Sequence, residues 1–168
     1  MALTIIATAK ATNANSYTTL VEADAYMEGR LAVTNWDAAS DDSKNRALKQ
    51  ATDVLEQFEY VGRRTTQAQR LQWPRYGVVD MDGWNYDQDV VPRPIKEAQY
   101  ELALALTDGS FKLEPDQLAA FENVKVGSLD VTPRGSYTAA MLPDHINRLL
   151  ANVLLGGGGS LTARTERN

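Results

Sequence analysis

The sequence contains no cysteine and a single histidine, His145. The absence of cysteine excludes disulfides, thiolate metal sites and thiol nucleophiles, and it suits a cytosolic assembly. One histidine leaves no His-x-x-x-His metal pair, and we interpret His145 as a helix cap or surface residue. The sequence also has no glycine-rich phosphate loop with Lys and Ser/Thr and no Gly-x-Ser-x-Gly nucleophile motif. These absences predict a protein that is not an enzyme and that needs no cofactor or metal.

Long hydrophobic runs and an excess of positive charge are absent too. No stretch approaches the ~18 apolar residues of a membrane span, and no basic segment precedes the short apolar start, so we expect neither a membrane helix nor a signal peptide. With 17 basic and 22 acidic residues, the net charge is −5. A protein that binds nucleic acid with its whole surface is basic. Any DNA contact is therefore expected at a local patch, unless DNA only passes by.

The composition of the 168 residues, 43% hydrophobic and 23% charged, predicts one globular domain over residues 1–155. Apolar residues at helical spacing predict a mainly α fold. We expect a four-helix body, a small β-hairpin near residues 123–132 and extended terminal arms. Residues 156–168 are predicted to form a flexible, glycine-rich docking tail. The four predicted helices are Leu20–Leu31, Asp41–Glu59, Pro94–Thr107 and Pro143–Leu155.

The second predicted helix has an apolar stripe from Ala47 to Phe58 with Glu56 on its solvated face, and the third is apolar nearly all round from Leu102 to Leu106, which predicts a position central in the core or against a neighbouring subunit. The capping signals are Thr19 with Glu22, Ser40 and Gly109.

Three connecting segments have local signals of their own. Trp36 is predicted to lie in a loop, and Thr65 or Thr66 is expected to cap a short helix that ends at Leu71. Four aspartates between Asp80 and Asp89 suggest a calcium loop. The spacing contradicts a calcium loop of the EF-hand type, because the position of its invariant glycine holds asparagine and its position twelve holds no glutamate. We interpret the beginning of this segment as a turn.

Residues 60–78 combine four arginines with three aromatic residues and contain no acid. Arginines interleaved with aromatic residues are typical of single-stranded-DNA binding, because the arginines contact the phosphate backbone and the bases stack on the aromatic rings. The net charge and the neighbouring aspartates oppose this interpretation, because acids reduce the gain from each phosphate contact. The alternative is a packed connector between helices, with Trp73 as its anchor. The candidate DNA-binding residues are Tyr60, Arg63, Arg64, Arg70, Trp73, Arg75 and Tyr76.

Several motifs between residues 14 and 155 resemble one family of tailed-bacteriophage and prophage proteins. The most specific are Leu71-Gln-Trp-Pro-Arg and Val91-Pro-Arg-Pro-Ile-Lys-Glu-Ala. The match also includes Ala14-Asn-Ser-Tyr-Thr-Thr, Gly62-Arg-Arg-Thr and the hairpin sequence that begins at Val124. The family is commonly labelled a DnaT-like single-stranded-DNA-binding domain. Its members are also similar to head-completion, or head-to-tail adaptor, proteins of virions.

The resemblance implies a structural virion protein at the head–tail junction, present in the host cytoplasm during assembly. It implies a ring of identical subunits, typically twelve, beneath the portal protein and above a downstream tail or nozzle protein. Duplex DNA would pass through the lumen without specific binding, which suits an acidic subunit. This adaptor function is our first hypothesis, and a single-stranded-DNA-binding module is the alternative. The candidate portal or subunit contacts are Arg63, Arg64, Arg75, Leu161, Arg164 and Arg167.

Overall fold

A computed structural model describes residues 3–111 and 142–156. The described part is mainly helical, with one small antiparallel hairpin, and the predicted fold class is confirmed. The predicted hairpin at 123–132 lies outside the described residues, as does the tail beyond Gly156. The helices are α1 (Leu20–Glu28), α2 (Thr34–Ala38), α3 (Asp41–Leu55), α4 (Arg93–Asp108) and α5 (Asp144–Leu150), and the strands are β1 (Arg63–Arg64) and β2 (Arg75–Tyr76).

The helix starts follow the capping signals of the sequence. Thr19 caps α1, because its hydroxyl accepts a hydrogen bond from the Glu22 amide at 3.2 Å while the Glu22 carboxylate accepts one from the Thr19 amide at 2.8 Å. Ser40 caps α3 in the same way through the amide of Ser43. At the other end of the helical core, Gly109 ends α4 with a left-handed φ of 76°.

The core is built around α3 and α4, which pack along most of their lengths. The predicted apolar stripe from Ala47 to Phe58 is buried, although α3 itself ends at Leu55. Helix α4 is buried on nearly all sides between Ala98 and Ala105, so of the two predicted positions it occupies the centre of the core. Helix α5 packs on α4, and α1 and α2 close the remaining sides. Burial of this apolar surface is the main stabilising term for such a fold.

One buried amide, that of Gln99 in α4, connects the helices to the segment before α1. Its nitrogen donates to the Ser16 hydroxyl at 2.7 Å and to the Leu48 carbonyl and Thr52 hydroxyl at 2.9 Å each. Its oxygen accepts from the Thr18 hydroxyl at 3.0 Å. A buried polar group is tolerated only when its hydrogen bonds are made. The Asn-Ser-Tyr-Thr motif therefore has a structural role in this fold.

Trp36 was predicted to lie in a loop, and this prediction is wrong. Residues 34–38 form α2, in which the Trp36 side chain is completely buried. Its indole nitrogen donates to the Asp24 carboxylate at 2.8 Å, and Lys44 lies 5.4 Å from its ring. A five-residue helix is too short to show a hydrophobic period. Burial of one large side chain fixes the position of α2.

The predicted short helix from Thr65 or Thr66 to Leu71 is also absent. Thr66 and Gln69 instead exchange side-chain and backbone hydrogen bonds at 3.0 and 3.3 Å. The buried Gln69 amide then donates to the carbonyls of Leu71 and Pro74. These side-chain bonds satisfy backbone groups that a helix would have satisfied, and the chain remains in turns.

Helices α3 and α5 end earlier than expected, at Leu55 and Leu150 rather than Glu59 and Leu155. The residues that follow them pair with each other. The Val61 amide donates to the Val153 carbonyl at 2.9 Å, and the Leu155 amide donates to the Glu59 carbonyl at 2.8 Å. This long-range pairing competes with the last helical turn and cannot be seen in local sequence. In the described residues no helix combines the length and apolarity needed to cross a membrane.

Candidate nucleic-acid interface

The arginine- and aromatic-rich segment folds as a short hairpin. Arg63 pairs with Tyr76 and Arg64 with Arg75 in antiparallel register. The hairpin begins at Gly62, whose φ is 72°. A Cβ atom at this position would lie 2.3 Å from the Tyr76 carbonyl oxygen. Only glycine therefore allows the two chains to approach this closely.

Arg75 faces inward and organises the base of the hairpin. Its side chain donates to the carbonyls of Tyr60 at 3.1 Å, Val61 at 2.7 Å and Gly62 at 2.7 Å. The residue is only 9% exposed. Burial lowers the pKa of its guanidinium. The structure thus uses Arg75 to satisfy three consecutive backbone carbonyls, and its charge is not presented to a partner.

Two of the three aromatic residues in the segment are core residues. Trp73 is 1% exposed, and its ring meets those of Tyr60 and Tyr86 edge to face, with centroids 5.5 and 6.4 Å apart. The Tyr60 hydroxyl donates to the Leu55 carbonyl at 2.8 Å, and burial raises the Tyr60 pKa above its usual range. Rings packed in this way have no free face on which a base can stack.

Four candidate residues remain on the surface, and we call Arg63, Arg64, Arg70 and Tyr76 the arginine patch. The Arg63 guanidinium lies 5.1 Å from the centre of the Tyr76 ring, and Tyr76 is 49% exposed. Arg64 donates to the Gln69 carbonyl at 3.1 Å. Within the described part of the chain, no carboxylate forms an ion pair with any of the three arginines.

The acidic loop, residues 79–90, lies beside this patch. Its tip is a tight turn in which the Asp80 carboxylate accepts hydrogen bonds from the amides of Asp82 at 3.0 Å and Trp84 at 2.8 Å. Met81 and Trp84 project from this turn and are 84% and 75% exposed. The Asp80 carboxylate shapes the backbone, as predicted for a turn. The described residues contain no group of three or more side chains placed to hold a metal ion.

The acidic loop is joined to the hairpin at its other end. The Thr65 hydroxyl lies 3.2 Å from the Gln88 carbonyl, to which it donates, and Lys10 forms an ion pair with Asp89. Together with the contact between Trp73 and Tyr86, these bonds hold the loop and the hairpin on one side of the molecule. Cationic and anionic groups are therefore neighbours on one surface.

Sequence reasoning missed a half-buried carboxylate beneath the hairpin, that of Glu56. Glu56, just after α3, accepts hydrogen bonds from the Tyr17 hydroxyl and from the Gln72 amide at 3.0 Å. Burial is the main reason that the pKa of Glu56 is raised, and burial with the nearby Glu56 charge raises the pKa of Tyr17. The pattern of α3 indicated only a solvated charge at this position. The two partners of Glu56, Tyr17 and Gln72, are 39 and 16 residues away along the chain, so no local pattern indicates them.

A second missed cluster surrounds Glu101 in α4. Its buried carboxylate accepts from the Tyr26 hydroxyl at 2.6 Å and pairs with Arg30 at 2.7 Å. His145 at the start of α5 lies 3.3 Å from the same carboxylate and remains half exposed. This surface histidine therefore contacts a core carboxylate. The cluster ties α1 and α5 to the central helix.

The remaining candidate contacts, Leu161, Arg164 and Arg167, lie outside the described residues. Of the described candidates, the structure leaves Arg63, Arg64, Arg70 and Tyr76 on the surface, with Arg63 against the Tyr76 ring, and it places Tyr60, Trp73 and Arg75 in the interior. The molecule is thus a mainly helical protein that displays a small cationic hairpin beside an acidic loop.

The sequence matches, over residues 1–168, a family described as "Putative DnaT-like ssDNA binding protein". The chain belongs to this DnaT-like family. No curated protein matches the chain, and no solved structure matches it.

Proposed function

We propose that the protein binds single-stranded DNA through the arginine patch. The observation that carries this proposal is the exposure of three arginines in one hairpin segment, Arg63 against the Tyr76 ring and Arg64 and Arg70 beyond it, none of them paired with a carboxylate in the described residues. Unpaired guanidinium groups are available for phosphates, and an exposed ring offers a face for one base. The description of the family supports the same function.

The geometry limits the strength of this binding. Three arginines neutralise at most three phosphates, so log K should fall with log salt with a slope of about −2. One available ring gives about 1–3 kcal/mol of stacking. The adjacent aspartates and the net charge of −5 repel the strand. The expected affinity is therefore weak for one subunit, and tight binding would need several patches on one strand.

The test is a fluorescence-anisotropy titration with a labelled oligothymidine at two salt concentrations. Arg64→Ala and Tyr76→Ala should each weaken binding about tenfold, and the Arg64 variant should also have a smaller salt slope. Arg93→Ala is the matched control, because Arg93 is an exposed arginine on α4 that already pairs with Glu97. Wild-type protein that does not bind, or equal losses in all three variants, would contradict the proposal.

We propose as a second function that the protein is a subunit of a head-to-tail adaptor ring in a virion. The observation that favours it is the exposed acidic loop beside the arginine patch, because that loop repels nucleic acid and presents Met81 and Trp84 to solvent. Large exposed apolar side chains mark protein contacts. The resemblance to phage adaptor proteins supports the same function. In either function we propose a binding or structural protein and no enzyme.

In the adaptor function, identical subunits form a ring, of about twelve by the resemblance, between the portal protein and a downstream tail or nozzle protein. Genomic DNA passes through the lumen without specific binding, which the acidic net charge favours. The particle is assembled in the host cytoplasm, and the protein then lies at the head–tail junction of the virion. Residues 156–168 dock on the portal or an adjacent subunit.

Electron microscopy of the protein mixed with its portal protein separates the two functions. Rings on portals, without oligonucleotide binding, would favour the adaptor. Salt-dependent oligonucleotide binding by a protein that forms no rings would favour the DNA-binding module. Deletion of residues 156–168 should weaken ring assembly on portals while circular dichroism shows an intact helical body. Unchanged assembly after deletion would refute the docking function of this segment.

A further inference from the structure

Exposed apolar side chains are concentrated beside the arginine patch. Eight large hydrophobic side chains are exposed in the described residues, and five of them lie within a span of fifteen residues. Scattered single residues of this kind are normal on a surface, whereas a cluster indicates a contact site. Val21, Leu31 and Leu155 are the scattered ones. The clustered ones are Tyr76, Val79, Met81, Trp84 and Val90.

The tip of the acidic loop is ordered before any partner is bound. Val79 bridges Asn85, the Asp80 amide donates to the Trp84 carbonyl at 2.8 Å, and the Asp80 carboxylate holds two amides of the turn. Trp84 is thus presented on a rigid turn while three quarters of its surface faces solvent. Tryptophan on a preorganised support is a common anchor of protein interfaces, because little entropy is lost when it is buried.

Charge indicates which partner covers this surface. Asp82 and Asp87 are exposed and form no ion pair with the described residues, and the three arginines of the patch likewise lack carboxylate partners there. Both sets lie on one side of the molecule, but they do not neutralise each other within one chain. Opposite charges on adjacent areas of one surface are complementary to the same surface on another copy.

We infer that a second copy of this chain covers the acidic loop, with Met81 and Trp84 of one copy packed beside the arginine patch of the other and Asp82 facing Arg64. This contact goes beyond DNA binding. A surface that pairs with the same surface of another copy closes as a dimer, so this contact is separate from the head-to-tail contacts of the proposed adaptor ring and does not depend on that function. Because the contact combines an apolar anchor with exposed charges, salt should weaken the association without abolishing it.

Light scattering after size exclusion, from about 1 to 100 µM protein, tests the inference. Wild-type protein should form dimers or larger assemblies within this range. The double variant Met81→Ser, Trp84→Ser should dissociate at least tenfold more readily. The matched control is Val21→Ser, Leu31→Ser, which removes two equally exposed apolar side chains elsewhere and should assemble like wild type. Circular dichroism verifies that all three proteins are folded.

A charge exchange tests the inferred pairing between the aspartates of the acidic loop and the arginines of the arginine patch. Asp82→Arg and Arg64→Asp should each weaken association, and the double exchange should restore it. Any one of three results would overturn the inference. Wild-type protein could be monomeric at ~100 µM, the double serine variant could assemble like wild type, or the double charge exchange could fail to restore association. The titration with oligothymidine is run at protein concentrations below the association midpoint, because a second copy facing Arg64 would compete with the strand. There the Met81→Ser, Trp84→Ser variant should bind oligothymidine as wild type does, so loss of association leaves the DNA proposal intact.

Discussion

Replacing Arg75 by methionine separates a structural arginine from a binding one. The methionine stem fills part of the same space but donates no hydrogen bond, so the carbonyls of Tyr60, Val61 and Gly62 lose a donor that lies 2.7–3.1 Å away. Each hydrogen bond to a charged group contributes about 1.5–3 kcal/mol. Desolvation of the buried guanidinium offsets part of this gain. We therefore expect Arg75→Met to lower the free energy of unfolding by about 3 kcal/mol.

Urea denaturation followed by circular dichroism measures this loss, and thermal denaturation should show a decrease in Tm of about 6–12 °C. Arg64→Met is the control, since Arg64 is exposed on the neighbouring strand and should cost less than about 0.5 kcal/mol. The folded fraction of Arg75→Met should bind oligothymidine as wild type does. A stable Arg75→Met protein with weakened DNA binding would refute the reasoning and would assign Arg75 to the binding surface.

Three further results are expected. Gln99→Leu should cost about 2–4 kcal/mol in urea denaturation, because buried hydroxyls lose the amide that pairs with them; a loss below 1 kcal/mol would contradict that role. Glu56→Gln should remove part of the pH dependence of stability. Burial raises the pKa of Glu56 in the folded protein, so its contribution to the free energy of unfolding is complete below the unfolded pKa of about 4.3. That contribution is lost as the pH rises through the folded pKa. Wild type should then lose more stability than Glu56→Gln between pH 4 and 8, and parallel curves would exclude this effect. Gly62→Ala should lower the free energy of unfolding by about 2–4 kcal/mol, because its added carbon would clash with the Tyr76 carbonyl. Gly77 has a similar φ of 74° but no atom within 4 Å of an added carbon, so Gly77→Ala should cost only about 1–2 kcal/mol. Equal losses in the two variants would contradict the predicted clash.

The features that sequence predicted well are those that depend on neighbouring residues. The capping box of Thr19 and Glu22, the Ser40 cap and the glycine that ends α4 require interactions over only a few positions. The apolar periods of α3 and α4 extend over 15 and 16 residues and identify the buried faces. Such signals are local, and they are therefore visible in a single sequence.

The features that sequence missed depend on partners far along the chain. The early ends of α3 and α5 follow from pairing between residues near 60 and 154. Arg75 is indistinguishable in composition from Arg63 and Arg64, and only the folded path of residues 60–62 places three carbonyl acceptors around its side chain. The sequence offers seven candidate DNA-binding residues, and only the folded structure shows which four of them are exposed. Alternation around Gly62 and Pro74 is too short to indicate which side of the hairpin faces the core.

The hydrogen bonds of Arg75 have a consequence for which substitutions this hairpin can accept. All three acceptors from Tyr60 to Gly62 are main-chain oxygens, so the arginine recognises the path of the chain and not the identity of the residues at 60 and 61. A constraint of this kind acts on one position only. Apart from Gly62, which must lack a Cβ atom, the exposed residues of the same hairpin can change without removing these three hydrogen bonds. A single inward arginine therefore gives the protein a fixed frame on which outward side chains can be exchanged for new partners.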